Sequence, residues 1–350
     1  SVGHTNACAT IYGIHQIGEG EGGPAGRVDN SGPITVSARG GDADTGYVDG
    51  YADAAAYAYG ISAEGDVNNT GNITATSTGG TAHTAGTSSS ASADASAEVY
   101  GIHSYNSVYN AGDISVNATG GAADSLGAPV FVNATAYGIY GDSPYVSNGG
   151  VINVTAVGGN AYDNNGRASA YADATGILNY GDVANTGGIT VTATGGIVNN
   201  IAGSTAHAKA LGLYAYYGDV TNSGDITVTA SEAGFTSSYG IYMYRDGDLT
   251  NIGTIRASGD EAYELYVAAG TTTLVDAYNV TLDGDPAQAS IFIADGATLA
   301  LNNADLTVTD VEQTQWDTEY RLFEPNGTGL VSGSFDDVRA INPDANAIYN

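Results

Sequence analysis

The sequence predicts an all-β parallel solenoid, on the strength of a repeated motif, a strict alternation inside each repeat and an alanine-rich run between repeats. The motif Asn-x-Gly-x-Ile occurs seven times, with its asparagine at Asn30, Asn69, Asn110, Asn148, Asn185, Asn222 and Asn251 and its isoleucine at Ile34, Ile73, Ile114, Ile152, Ile189, Ile226 and Ile255. Successive asparagines lie 39, 41, 38, 37, 37 and 29 positions apart. A period that drifts in this way describes one structural unit interrupted by loops of variable length.

Each piece of the unit has its own pattern. After the motif's glycine comes a strand: Ile189, Val191 and Ala193 fall on one face and Thr190, Thr192 and Thr194 on the other, the period of a half-buried strand. Ile34 with Val36, Ile114 with Val116, Ile152 with Val154 and Ile226 with Val228 repeat it. Further along, alanine alternates with polar residues, at Ala91, Ala93, Ala95 and Ala97, at Ala168, Ala170, Ala172 and Ala174, and at Ala206, Ala208 and Ala210. Small side chains should point inward there. The run ends at a glycine followed by an aliphatic residue: Gly13-Ile14, Gly60-Ile61, Gly101-Ile102, Gly138-Ile139, Gly176-Ile177, Gly212-Leu213 and Gly240-Ile241. Counting by twos, the alanine face and the aliphatic residue fall out of register, which predicts a bulge or bend at the glycine. Tyrosine precedes five of these glycines (Tyr12, Tyr59, Tyr100, Tyr137 and Tyr239) and is placed to stack as an exposed ladder.

No unit can bury its apolar face alone, whereas stacked units set isoleucine on isoleucine and asparagine on asparagine at the strand spacing of roughly 4.8 Å. About one wide coil per repeat of 37 to 41 residues is the preferred arrangement, with two coils of half the length as the alternative. The asparagines are read as structural: tolerant of left-handed backbone at corners, and able to hydrogen-bond from coil to coil as a ladder. Segments 42–50, 81–89, 122–129 and 160–167 are expected to protrude from one edge, where contacts are made. Residues 1–8 are read as an N-terminal segment, 9–260 as the repeat solenoid, 261–312 as narrower coils and 313–350 as a cap. Past Gly259 the motif stops, and shorter strand signals follow at 265–267, 272–275, 280–282, 291–293, 299–301 and 306–308. Trp316, the run Tyr320-Arg321-Leu322-Phe323 and Gly333-Ser334-Phe335 then form the densest bulky cluster, suited to covering the end of a stack.

Composition narrows the partners. Eight basic residues face 38 acidic ones, a formal net charge of −30, and Lys209 is the only lysine. Nucleic acid is excluded, because phosphate binding needs clustered cations. Such a charge suits a soluble extracellular surface. Cys8 is the sole cysteine, so no internal disulfide and no cysteine-based metal site can form. No apolar run reaches the ~18 residues of a membrane-spanning helix. Ser1 does not open a signal peptide, so an exported protein would be numbered here after processing.

On the repeats over residues 9–260, on Gly296-Ala297-Thr298-Leu299 with Leu301, and on Tyr320-Arg321-Leu322-Phe323 followed by Gly333-Ser334-Phe335, the chain resembles the passenger region of bacterial autotransporters, the type V secreted proteins. The resemblance implies a right-handed β-helix, export through the outer membrane and a role at the cell surface or after release. This sequence departs from the family pattern in carrying no run of amphipathic membrane strands for a translocating barrel.

Catalytic and metal chemistry have few candidates. The acid pairs Asp42 with Asp44, Asp283 with Asp285 and Asp336 with Asp337 sit in glycine-rich or terminal stretches where aspartate serves turns. His15 and His103 occupy equivalent repeat positions with Ser62 between them, and His4, His83 and His207 are scattered. Among the recurring Gly-Asp pairs, Asp66, Asp182 and Asp219 are the candidate calcium ligands if they stack. No cofactor is required and no catalytic residue is assigned.

The expected function is that of a noncatalytic extracellular structural or adhesive protein, assembling end to end into a surface or matrix fibre. Its alternatives are a monomeric adhesin that binds a glycan or a host or cell-surface protein through loops and tyrosine rows, and a polysaccharide lyase or depolymerase.

Overall fold

The computed structural model describes residues 3–18, 26–47, 49–86, 91–164, 167–198, 204–232, 234–282, 289–310, 322–342 and 347–349. Among them every regular element is a β-strand, and no helix is long and apolar enough to cross a membrane. One coil of the path runs Val67–Asn69, Ile73–Thr78, Thr81–Thr84, Ser92–Asp94 and Ala97–Ser104. The next strand, Val108–Asn110, lies parallel to Val67–Asn69. A coil is therefore one repeat, and the half-length alternative is set aside. The protein is a parallel β-solenoid with four faces: an asparagine face, an isoleucine face, a short face and a long face built on the alanine runs.

Register follows the motif. Ile34, Ile73, Ile114, Ile152, Ile189, Ile226 and Ile255 pair in series along the isoleucine face. Asn30, Asn69, Asn110, Asn148, Asn185, Asn222 and Asn251 do the same on the asparagine face. Each ladder asparagine as far as Asn222 donates through Nδ2 to the Oδ1 of the next, at 2.7–2.8 Å, and to the carbonyl of the glycine two residues on. None of them has a positive φ; the expectation of left-handed corners is corrected, because each asparagine ends an extended strand and closes the corner with its side chain instead.

The glycine of the alanine run marks a change of phase. Burial along Ala97–Ser104 alternates up to Tyr100, after which Gly101 and Ile102 are both inward. The cause is space: a Cβ on Gly60, Gly101, Gly138, Gly176 or Gly212 would stand 2.4–2.5 Å from Cγ2 of the isoleucine on the facing strand of its coil and 2.5 Å from the next coil's backbone carbonyl. Only a residue without a side chain lets the long and isoleucine faces meet.

The core has two compartments. The larger holds the isoleucine and valine series with Ala97, Ala134 and Ala172. The smaller is almost entirely alanine, with Ala43, Ala82, Ala123 and Ala161 of the short face against Ala52, Ala93, Val130 and Ala168 of the long one. This corrects the expectation of protruding loops. The segments begin as the strands Ala43–Thr45, Thr81–Thr84, Ala122–Ser125 and Asn160–Asp163, which pair in parallel as a fourth wall. Residues 48, 87–89 and 165–166 of those segments lie outside the described residues.

Narrowing comes in two steps. The last described strand of the short face is Ile197–Val198, and that of the isoleucine face is Ile255–Ser258. Within residues 9–260 the solenoid therefore passes from a four-walled part to a three-walled part. Beyond Ser258, among the described residues, only the long and asparagine faces continue. There Glu264 takes the glycine's place between Tyr263 and Leu265, which pair with Tyr239 and Ile241, and Tyr278 takes the place after Asn251. Both are buried, and no strand of the isoleucine face is described after Ser258.

The proposed end segments are also revised. His4–Asn6 already pairs with Tyr51–Asp53 as part of the first coil. Phe323–Pro325, Leu330–Ser332 and Val338–Asn342 continue the parallel stack, and Ala347–Tyr349 lies antiparallel on the last of them. Trp316, Tyr320 and Arg321 lie outside the described residues.

Candidate binding face

In-register parallel strands repeat a side chain every strand spacing, so a planar side chain recurring at one position must stack. On the long face Tyr12, Tyr59, Tyr100 and Tyr137 form such a column, with ring centroids 4.8, 4.9 and 5.1 Å apart. Three residues on, Tyr214, Tyr242, Tyr266 and Phe292 form another, at 5.1, 4.7 and 4.8 Å. At the corner beyond, Tyr180, Tyr216 and Tyr244 stack at 4.9 and 4.6 Å, and the Arg245 guanidinium lies 5.6 and 5.1 Å from the rings of Tyr216 and Tyr217.

The expected single tyrosine ladder is divided. After Tyr137 the column passes through Thr175 and Leu211 before resuming at Tyr239 and Tyr263. Nor is it exposed throughout: Tyr12 is 42% exposed, Tyr239 only 8%. At the interruption a cleft of about 200 Å3 opens, lined by Tyr137, Asp173, Thr175, Leu178, Lys209, Leu211 and Tyr214. A second hollow of about 250 Å3 lies near Tyr12, His15, Ser62 and His103, with the histidines two strands apart and Ser62 between them. The signal for the interruption was present in Thr175-Gly176 and Leu211-Gly212, where tyrosine precedes the glycine elsewhere.

Burial of the rings shifts their ionisation. It pushes Tyr59, Tyr140, Tyr242 and Tyr263 up to about 12, with neighbouring carboxylates or tyrosines adding to it, and Tyr100, Tyr137, Tyr214 and Tyr239 higher still. An unfolded tyrosine loses its proton near pH ~10. Between there and about pH 12 the folded state holds more protons than the unfolded one, so stability contributed by the stacks is complete below pH ~10 and falls as pH rises. In an alkaline titration followed ring by ring by NMR, Tyr59, Tyr140, Tyr242 and Tyr263 should keep their protons until the β circular dichroism is lost; ionisation of these four near pH ~10 in a chain that stays folded would contradict the packing described.

The aspartates mostly serve the backbone. Asp182 Oδ1 accepts the N–H of Asp219 at 2.9 Å, and Asp219 Oδ1 that of Asp248 at 2.8 Å. Asp66 does not join them, because Ser107 and Tyr145 hold that position on the two intervening coils; the stacked trio expected for calcium is corrected to a column of Asp182, Asp219 and Asp248. Asp295 is held below the usual carboxylate range by the N–H and hydroxyl of Thr328. His83 Nδ1 meets Asp124 Oδ1 at 2.7 Å on the short face. Asp42 and Asp44 are exposed, Asp337 accepts from Arg339 Nε at 2.7 Å, and Asp283 and Asp285 lie outside the described residues. Among the described residues no three His, Cys, Asp or Glu side chains gather as a metal site.

The fold and this surface define a class, that of repeat proteins with a parallel β-solenoid body. Comparison with family models, curated proteins and solved structures finds no match for the chain.

Proposed function

We propose that the protein is a noncatalytic extracellular adhesive scaffold, similar in kind to an autotransporter passenger, that contacts its target through the aromatic long face. The observation that carries this reading is the set of tyrosine columns on one side of a continuously hydrogen-bonded rod. Tyrosine offers large, amphipathic contact area at low conformational cost, and a parallel stack holds each ring in place before any partner arrives. The target is a glycan or a cell-surface protein.

End-to-end assembly into a fibre is the second reading. It is favoured by the first coil, where Ile11 and Tyr12 stand 41% and 42% exposed at the edge of the long sheet. Against it stands the antiparallel strand Ala347–Tyr349 on the last parallel strand of the asparagine face. Surface binding of the purified chain to glycan-coated and cell-protein-coated supports, with negative-stain microscopy of the same sample, separates the two. Single rods that adhere support the first reading; fibres that lengthen with concentration and adhere to neither support replace it with the second.

A further inference from the structure

We propose that the cleft at Thr175 and Leu211 is a subsite for a neutral hexopyranose unit of a glycan, an inference that rests on the adhesive reading above and gives it a ligand class. Tyr137 is the last ring of its column before the cleft. It is braced from one side by Tyr100, stacked at 5.1 Å, and from its edge by Tyr140 at 5.3 Å, which fixes its orientation. Its strand neighbour on the far side is Thr175, followed by Leu211 and then Tyr239. The gap between the two tyrosines spans three strand spacings, roughly 14 Å. Its floor is small and aliphatic, with Thr175 and Leu211 both buried.

The polar side of the cleft is supplied by one acid and one cation. Asp173 and Lys209 are paired positions on adjacent strands, both lining the cleft, and Lys209 Nζ also lies 5.9 Å from the Tyr242 ring centre. A carboxylate beside an ammonium presents acceptors and donors together, the set that two neighbouring hydroxyls of a sugar require. A pyranose has an apolar C–H face and a hydroxyl rim, matching the open face of Tyr137 and the Asp173/Lys209 pair respectively. Charge selects among sugars. The one lysine of a chain with net charge −30 is balanced here by Asp173, with His207 the further titratable group facing that carboxylate, so a polyanionic glycan meets a repelling field and a neutral one does not.

The test uses the whole chain with oligosaccharides of glucose, mannose and galactose as probes and a uronic acid oligosaccharide as the charged control, read by saturation-transfer NMR and titration. At least one neutral probe is expected to bind, and the charged control to bind at least tenfold more weakly. In the double variant Thr175→Tyr with Leu211→Tyr, two rings continue the column and fill the cleft, so binding should fall at least tenfold while circular dichroism and melting are kept. Asp173→Asn, which preserves shape, should also weaken binding. Preference for the uronic acid probe, binding by no neutral probe, or unchanged binding in both variants overturns the inference. A double variant that still adheres to glycan-coated supports as the parent does overturns the cleft assignment and leaves the adhesive reading standing; failure of the parent to adhere to any support sinks that reading itself.

Discussion

Ile152→Asp is expected to break the solenoid around its coil, lowering stability by more than about 5 kcal/mol at neutral pH. Ile152 is fully buried between Ile114 and Ile189, its partners on adjacent strands. Truncating such a side chain alone costs about 2–5 kcal/mol, and the new carboxylate has no partner in an apolar interior. The sign with pH is a further check. Burial raises the introduced carboxyl's folded pKa above its unfolded value near ~3.9, so the destabilisation is least below that pH and grows as pH rises through it. Because each coil contacts chiefly its neighbours, the damage should be local. Hydrogen exchange is expected to lose protection over the adjoining coils while the coils around Ile241 remain protected; a variant melting like the parent would reverse the assignment of inside and outside.

Gly176→Ala should have the second largest effect, about 3 kcal/mol of destabilisation, from a single methyl group. The added carbon would stand 2.5 Å from the Gly212 carbonyl oxygen and 2.5 Å from Ile189 Cγ2. The first of these is backbone held in a parallel ladder and cannot swing away. Gly176 has no positive φ, so the loss would measure crowding rather than backbone strain. Gly149→Ala is the control: its nearest atoms would be 3.7 Å away or more, and its effect should stay within about 0.5 kcal/mol. Equal melting of the two variants by calorimetry would show that the long and isoleucine faces do not meet as closely as described.

What the sequence made legible was periodic. The coil length, the inward isoleucines, the phase change at glycine and the loss of the motif past Gly259 all follow from counting residues, because a strand repeats every two residues and a solenoid every coil. Single positions whose role depends on what lies above and below them were harder. Asp66 and Asp182 lie three coil steps apart, and only the alignment of Ser107 and Tyr145 into that column shows that the acids are separate. The short face was read as loops because each of its strands has only two to four residues, too few to display an alternation, although Ala43, Ala82, Ala123 and Ala161 were there to be aligned. The cleft at Thr175 and Leu211 was legible only as a missing tyrosine. An absence becomes informative once the register is known.

The substitutions at Glu264 and Tyr278 bear on how such a chain finds its own arrangement. Six near-identical neighbours invite slippage by a whole unit, since a coil shifted by one floor would meet almost the same partners. A glutamate in the glycine seat would meet the isoleucine strand in the coils before Ser258, and a tyrosine in the asparagine seat would interrupt the amide ladder there. They give the growing rod a landmark from which its floors can be numbered.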